Sequence, residues 1–387
     1  MVRQLQVKTV FLDYNSTTPL APSVKEEMMP FLGNFFGNPS SLHQLGRKAR
    51  AYLDEYRHRM AAVWQCKPSE VVFTSGATES INLAIFGTAR LLKAKGRHLI
   101  TSSVEHHAVL RSFEYLVNKE GFDVSYLPVD SDGRINPPDL ENALRDDTIF
   151  VSLMAANNEI GTIQPVSELG NICRRHGVIF HTDAVQWFGK EPFNGINQFN
   201  ADLVSCCSHK ILGPLGCGAL FIKSPLFPDP IHFGGSHENE RRGGTENLAS
   251  IAGFVSAMEQ FVLNPAFCRA SLEPLSLRLI ELSHSSDIIK LVSPLEMRLS
   301  NTCSFSIPSS DSLTLLASLD LEGICASAGA ACSSGSLSPS HVLLAMGRSL
   351  DEANSLIRFS LGPSSSDDDI DYVLSVLPYI VKRILSS

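Results

Sequence analysis

A chain of 387 residues, 44% apolar and 19% charged, has enough apolar material for packed cores, which excludes a disordered segment. No apolar run reaches membrane-spanning length, and 32 Lys+Arg against 40 Asp+Glu without a basic stripe argue against membrane or nucleic acid as direct partners. The 9 cysteines are scattered, odd in number and free of Cys-x-x-Cys pairs, so they read as reduced thiols rather than a disulfide framework or zinc site; with no apolar signal region after Met1, a cytoplasmic location is expected.

In chain order, Val10-Phe11-Leu12 is strand-like, Asp13 to Pro19 is a polar turn, and Ser23 is placed as the N-cap of a helix carrying Met28, Met29 and Leu32. Gly33 to Ser41 is a loop long enough to be functional, and Ala49, Leu53, Tyr56, Met60 and Val63 recur at helical spacing. Val71 to Thr74 reads as a strand, and Ser75-Gly76-Ala77-Thr78-Glu79 turns it into a helix bearing Ile81, Ile85 and Leu92. Amides and dipole at such a helix start can cradle a phosphate, although an ordinary capped turn has the same sequence signature.

Alternation continues with strands at His98–Thr101, Val124–Leu127, Ile149–Met154, Val178–His181 and Leu203–Cys206, separated by helical stretches such as Val166–His176. The near-continuous apolar run Ile149 to Met154 is expected of a strand buried on both faces of a parallel sheet. Residues 70–225 therefore predict a doubly wound, mainly parallel α/β sheet, whose ligands bind beyond the carboxyl ends of the strands. Thr78, His106, Asn158, Asp183, Gln186 and Lys210 all follow strand ends.

Lys210, after a short apolar strand and before Gly213-Pro214, is poorly suited to burial unless its amine is neutralised or used covalently. A desolvated amine forms Schiff bases with aldehydes, pyridoxal phosphate among them, and Asp183 can pair with a pyridinium nitrogen; equally, the two can be an exposed lysine and a strand-end aspartate that never meet. The Gly-rich loop Gly234 to Thr245, with adjacent Arg241 and Arg242, reads as a functional loop or a solvated turn. Beyond a helix from Leu248 to Leu263, helices near 267–284 and 311–319 mix with strands Thr302–Ile307 and Leu356–Ser360, and a last helix follows Ser366 with an apolar face through Ile370, Val373, Leu377, Ile380 and Ile384. In this region Cys332 is flanked by Ala326 to Ser336, nearly all small residues: an unshielded thiol that is either reactive or incidental.

Taken together, Asp13-Tyr14-Asn15-Ser16-Thr17-Thr18-Pro19, Phe36 to Ser41, Thr74 to Glu79, Glu105-His106, Asn157-Asn158-Glu159-Ile160-Gly161, Asp183-Ala184-Val185-Gln186, His209-Lys210, Gly244 to Asn247, Cys332-Ser333-Ser334 and Ile357 to Gly362 resemble, in order and over nearly the whole chain, the signatures of the NifS-like cysteine desulfurases. These are class V members of the fold-type I pyridoxal phosphate enzymes. The resemblance implies a large cofactor domain over 16–262 with a mainly parallel seven-stranded sheet, and a small α+β domain from 1–15 and 263–387 carrying a mobile thiol loop at about 326–338. It implies that Lys210 holds the cofactor and serves as base, Asp183 faces the pyridine nitrogen, His106 stacks on the ring, and Gln186 and Asn158 lie near its phenolic oxygen. Ala77, Thr78, His209, Ser208 and Cys207 fall at the phosphate, with Thr245 reaching it from the other subunit of a homodimer. Arg358 clamps the substrate carboxylate in a bidentate pair, with Asn158 beside it, and Cys332 takes the sulfur of L-cysteine as a persulfide, leaving alanine.

This chain has Cys207-Ser208 where the family has Ser-Gly or Ser-Ala, and Gly234-Gly235-Ser236-His237 where Gly-Gly-Gly-Gln is expected. A protein sulfur acceptor is implied, while an iron–sulfur scaffold is left open because longer relatives dock it through a tail beyond Ser387. Selenocysteine lyase shares the fold and cofactor, and a non-catalytic scaffold of the same fold is the alternative from another class. No metal ligand set is read from the sequence.

Overall fold

The computed structural model describes residues 9–329 and 338–386. Among them, strands β1 (Val10–Phe11), β2 (Val71–Thr74), β3 (His98–Ser102), β4 (Asp123–Leu127), β5 (Thr148–Ser152), β6 (Ile179–Asp183), β7 (Leu203–Cys207), β8 (Gly218–Ile222), β9 (Lys290–Leu291), β10 (Thr302–Ser306), β11 (Ile324–Cys325) and β12 (Leu356–Ser360) form three sheets. The largest has seven strands in the order β2-β8-β7-β6-β5-β3-β4, as expected for fold-type I.

Its apolar runs are continuous because both faces are covered. Successive side chains point to opposite faces, so Ile100, Val151 and Val204 join the core under helices Gln44–Trp64, Val166–Arg175 and Leu248–Phe261. Their neighbours Leu99, Phe150 and Leu203 enter a second core against helices Ala77–Leu92 and His107–Tyr115. Each fully buried side chain of this size stabilises the fold by about 1.5–3 kcal/mol.

A three-stranded antiparallel sheet, β12-β10-β9, packs with helices Arg269–His284 and Asp367–Leu385 around its own core. Val10, Leu12 and Tyr14 belong to this core: β1 pairs in parallel with β11, and Asp13 bridges to Ser360. Gly362 is a position where side-chain bulk is excluded, since a Cβ there would lie 2.2 Å from the Tyr14 ring.

Ser23 does not cap its helix. Pro22 occupies the first turn of Pro22–Met28, Ala21 is the N-cap, and the Ser23 hydroxyl donates to Gln260 Oε1 instead. Strand β8, whose apolar run continues a Gly-rich turn, was not distinguishable by periodicity from a buried connection. The Arg241-Arg242 loop is no solvated turn: Arg241 donates to the Ser69 carbonyl at 2.6 Å, and Arg242 pairs with Glu79.

This loop is anchored to the large sheet by a buried ion pair. Glu238 accepts from Arg57 NH2 at 2.6 Å and NH1 at 2.7 Å, and from the Phe73 amide at 2.9 Å. Glu238→Ala leaves Arg57 buried without its counter-charge, and is expected to destabilise the protein by about 3–5 kcal/mol, read as a lower denaturant midpoint. A midpoint within error of the parent would show that the pair does not anchor the loop.

Candidate active site

Strand β8 runs antiparallel to both β2 and β7, which leaves β2 pointing the same way as the contiguous parallel strands β4, β3, β5, β6 and β7. The carboxyl ends therefore converge on one edge. A cavity of about 370 Å3 lies there, within the roughly 300–1,000 Å3 typical of small-molecule sites. It is lined by Ala77 and Thr78 after β2, His106 after β3, Asn158 after β5, Asp183 at the end of β6 and Gln186 after it, Cys207 at the end of β7 with His209 and Lys210 after it, and Arg358 from β12. The alternative in which Lys210 and Asp183 never meet is thus removed.

Lys210 Nζ donates to the carbonyls of Asn15 and Ser16, each at 2.6 Å. Burial pushes the Asp183 carboxyl up to about 6, partly offset by a hydrogen bond from the Val185 amide at 3.0 Å and by the nearby Lys210 charge. A carboxyl destabilised in this way gains from a cationic partner arriving in the cavity. Burial and then Lys210 bring His106 down to about 4, and its Nδ1 accepts from the Ala108 amide at 3.1 Å, which leaves a neutral imidazole with its proton on Nε2. Beside it, burial raises Glu105 to about 8; Oε1 accepts from Ser102 Oγ and the Met154 amide, while the buried Oε2 has no hydrogen-bond partner among the described residues.

Gly76 supplies no capping side chain to helix Ala77–Leu92, so the first-turn amides remain available at the cavity wall. Strand β8 closes against this turn: a Cβ on Gly218 would come within 2.7 Å of the Gly76 backbone. The turn is held by Glu79, which accepts from the Ser75 amide at 2.8 Å and from Arg242 Nε at 2.8 Å. Burial works against the Glu79 charge, but Arg242 and the Ser75 contacts prevail and bring it down to about 2. Cys207 adjoins the helix start at Ala77, and burial pushes its thiol up to about 11, so it meets the cradle as a neutral group. His209 Nδ1 is 3.2 Å from Thr17 Oγ1.

Arg358 is 1% exposed, and its four terminal N–H groups are engaged. NH1 donates to the carbonyls of Asn158 at 2.8 Å and Gly329 at 3.0 Å; NH2 donates to Asp13 Oδ1 at 2.7 Å and Ser16 Oγ at 2.8 Å, and Nε has no partner among the described residues. A carboxylate reaching this fork in a bidentate pair has to replace Asp13 and Ser16.

Ser208 is buried outside the cavity lining, its Oγ only 2.0 Å from where a Cβ on Gly213 would sit. Thr245 is exposed and also outside the lining, and Cys332 lies outside the described residues. Sequence reasoning gave no role to Asp13, Asn15, Glu105 or Lys190. The first three stood inside recognised motifs; Lys190 had as its signal only a basic residue in the otherwise apolar Trp187-Phe188-Gly189 setting, four residues after Gln186.

An amine for an aldehyde, a helix start for a phosphate and a buried carboxyl for a pyridinium together fit pyridoxal phosphate, and the fold and site define an enzyme of that class. The aminotransferase class-V model matches residues 10–373, and the chain belongs to that family. It is 45% identical over 380 residues to the cysteine desulfurase IscS of Dictyoglomus turgidum, covering 97% of this chain and 95% of the relative. Among solved structures, a NifS-like protein superposes with a TM-score of 0.89 at 36% identity, covering 98% of this chain and all (100%) of the other. SspA in complex with cysteine superposes with a TM-score of 0.80 at 35% identity, covering 92% and 100%.

The raised Asp183 has a consequence for pH. A carboxyl near 6 in the native chain and about 4 when unfolded binds an extra proton in the native state between those values, so it lowers stability as pH rises through that window. The difference in unfolding free energy between the cofactor-free parent and Asp183→Asn is expected to fall by roughly 2 kcal/mol from about pH 4 to about pH 6, then level off. A difference that does not vary with pH contradicts a desolvated Asp183.

Proposed function

We propose that this protein is a pyridoxal-phosphate-dependent cysteine desulfurase, which converts L-cysteine to L-alanine and holds the sulfur as a persulfide on Cys332 for transfer to a protein acceptor. The observation that carries this reading is the convergence of Lys210, Asp183 and Arg358 on one cavity. It is supported by near-full-length similarity to relatives named cysteine desulfurase and by a neighbouring structure in complex with cysteine.

When bound, the cofactor supplies an electron sink for negative charge developing at the substrate Cα. The chain does the rest. Ala77, Thr78 and His209 hold a phosphate at the positive end of their helix, and Asp183 balances a ring cation. The half-buried Lys210 amine, directed by two carbonyls, moves the Cα proton. Arg358 exchanges Asp13 and Ser16 for the substrate carboxylate, with Asn158 beside it. Cys332, as thiolate, attacks the substrate sulfur: its own S–S bond forms, the carbon–sulfur bond breaks, and that electron pair remains with the three-carbon product.

The assembly we propose is a homodimer in which Thr245 completes the phosphate site of the other copy. Thr245 is exposed although its loop is anchored through Arg242 to Glu79, and Leu215 at the cavity and Phe233 beside the loop are 71% and 84% exposed, as a face awaiting a second copy would be. The division into 16–262 and the flanking segments belongs to the same proposal.

Mass spectrometry after brief incubation with L-cysteine is expected to find one added sulfur on Cys332. Cys332→Ala should keep the yellow cofactor band and lose persulfide, with turnover lower by roughly 100-fold or more; alanine formed by an unmodified Cys332 would point to direct elimination instead. Arg358→Lys keeps the charge but loses the fork, and its KM for L-cysteine should rise about tenfold with a smaller change in kcat. An unchanged KM would remove Arg358 from the carboxylate site.

A further inference from the structure

The chemistry above leaves one buried amine without a task. Lys190 is 3% exposed, and both acceptors of its Nζ are neutral carboxamide oxygens: Asn15 Oδ1 at 2.6 Å and Gln186 Oε1. Gln186 turns its Nε2 the other way, donating to the Asn15 carbonyl at 3.0 Å, and the same carbonyl accepts from Lys210 Nζ. The ionisable groups facing Lys190 are Lys210, Arg358 and Cys207, and the fork of Arg358 is itself occupied by Asp13. Burial, followed by the charges of Lys210 and Arg358, holds the Lys190 amine well below the usual lysine range. In either charge state the amine has N–H groups for both oxygens it meets.

This arrangement fixes which way the Gln186 carboxamide points. An Oε1 committed to Lys190 cannot face the cavity, and Asn15 uses only one of the two Nε2 hydrogens. Gln186 lines the cavity, so the group it offers there is an N–H. We propose that Lys190 is a positioning residue that locks the Gln186 carboxamide with its N–H toward the cavity, so that the site presents a donor to an oxyanion of the bound cofactor. Without Lys190 only the bond to the Asn15 carbonyl holds this orientation, and a flipped amide would present a carbonyl oxygen that repels the same anion.

The inference rests on assigning the cavity to pyridoxal phosphate bound through Lys210. The experiment loads the parent, Lys190→Met, Gln186→Ala and the double variant with pyridoxal phosphate, and titrates the visible absorption band of the cofactor–lysine linkage against pH. A donor in the cavity favours the more negative, deprotonated linkage, so its loss is expected to move the midpoint upward by about one pH unit in each single variant. The double variant should move no further than either single, because the two residues act through one amide. Lys190→Gln retains a neutral donor and should stay within half of that shift; it replaces Lys190→Met if the latter does not fold. An unmoved midpoint in Lys190→Met, shifts that add in the double variant, or a Lys190→Gln midpoint as displaced as that of Gln186→Ala overturns the proposal. A parent protein with no visible band overturns the cofactor assignment instead.

Discussion

Three basic side chains, Lys190, Lys210 and Arg358, are packed around one cleft, and most of their hydrogen bonds run to backbone and amide oxygens rather than to carboxylates. Such burial is tolerable only where the acceptors are already oriented, and Asn15 supplies much of that orientation. Its carbonyl receives Lys210 and Gln186, its Oδ1 receives Lys190 and Asn301, and its Nδ2 donates to Thr302 Oγ1 and the Asn158 carbonyl. Its amide donates to Ser360 Oγ, on the strand that carries Arg358. One residue near the start of the chain therefore joins β10 and β12 to the loops after β5, β6 and β7, and Lys210 donates to its carbonyl.

A cleft of this kind is an anion receptor before it is an enzyme. Lys210, Arg358 and the start of helix Ala77–Leu92 bring positive potential to it, against Asp13, which Arg358 engages, and Asp183, whose charge burial disfavours. A cofactor carrying a phosphate and a substrate carrying a carboxylate both relieve this imbalance. The same low-dielectric setting keeps His106 and His209 neutral, with values near 4, so that they contribute hydrogen bonds and ring surface without adding charge.

The neighbours of the site are held as firmly as the site itself. Glu79 is stabilised as an anion in the cradle at the start of helix Ala77–Leu92 by Arg242, from the loop that also carries Thr245. Glu238, from that same loop, is buried against Arg57 and the Phe73 amide of β2. Through these two carboxylates the Gly-rich loop and the cradle form one continuous structure, and a change in either is transmitted through charge pairs that have little exposure to water.

Much of the architecture was legible in the sequence because it is written in local patterns. The run Thr148 to Ser152 is apolar at its centre because it is covered on both sides, the helix Gln44–Trp64 repeats its apolar face at the spacing of a turn, and strand ends carrying Asp183, Lys210 and His106 announce their edge of the sheet through chain order alone. What the sequence could not express is which residues distant in the chain share an oxygen. Asp13 and Arg358 are 345 residues apart, Asn15 and Lys190 are 175 apart, and their pairing exists only because β1 docks beside β11 and the Asp13 to Ser16 segment crosses to the end of β12. The fork expected to await a substrate is already filled, and a lysine with no motif of its own orients a glutamine that has one. Periodicity determines faces and edges; only tertiary packing decides who meets across them, because burying each charge requires partners that no local pattern supplies.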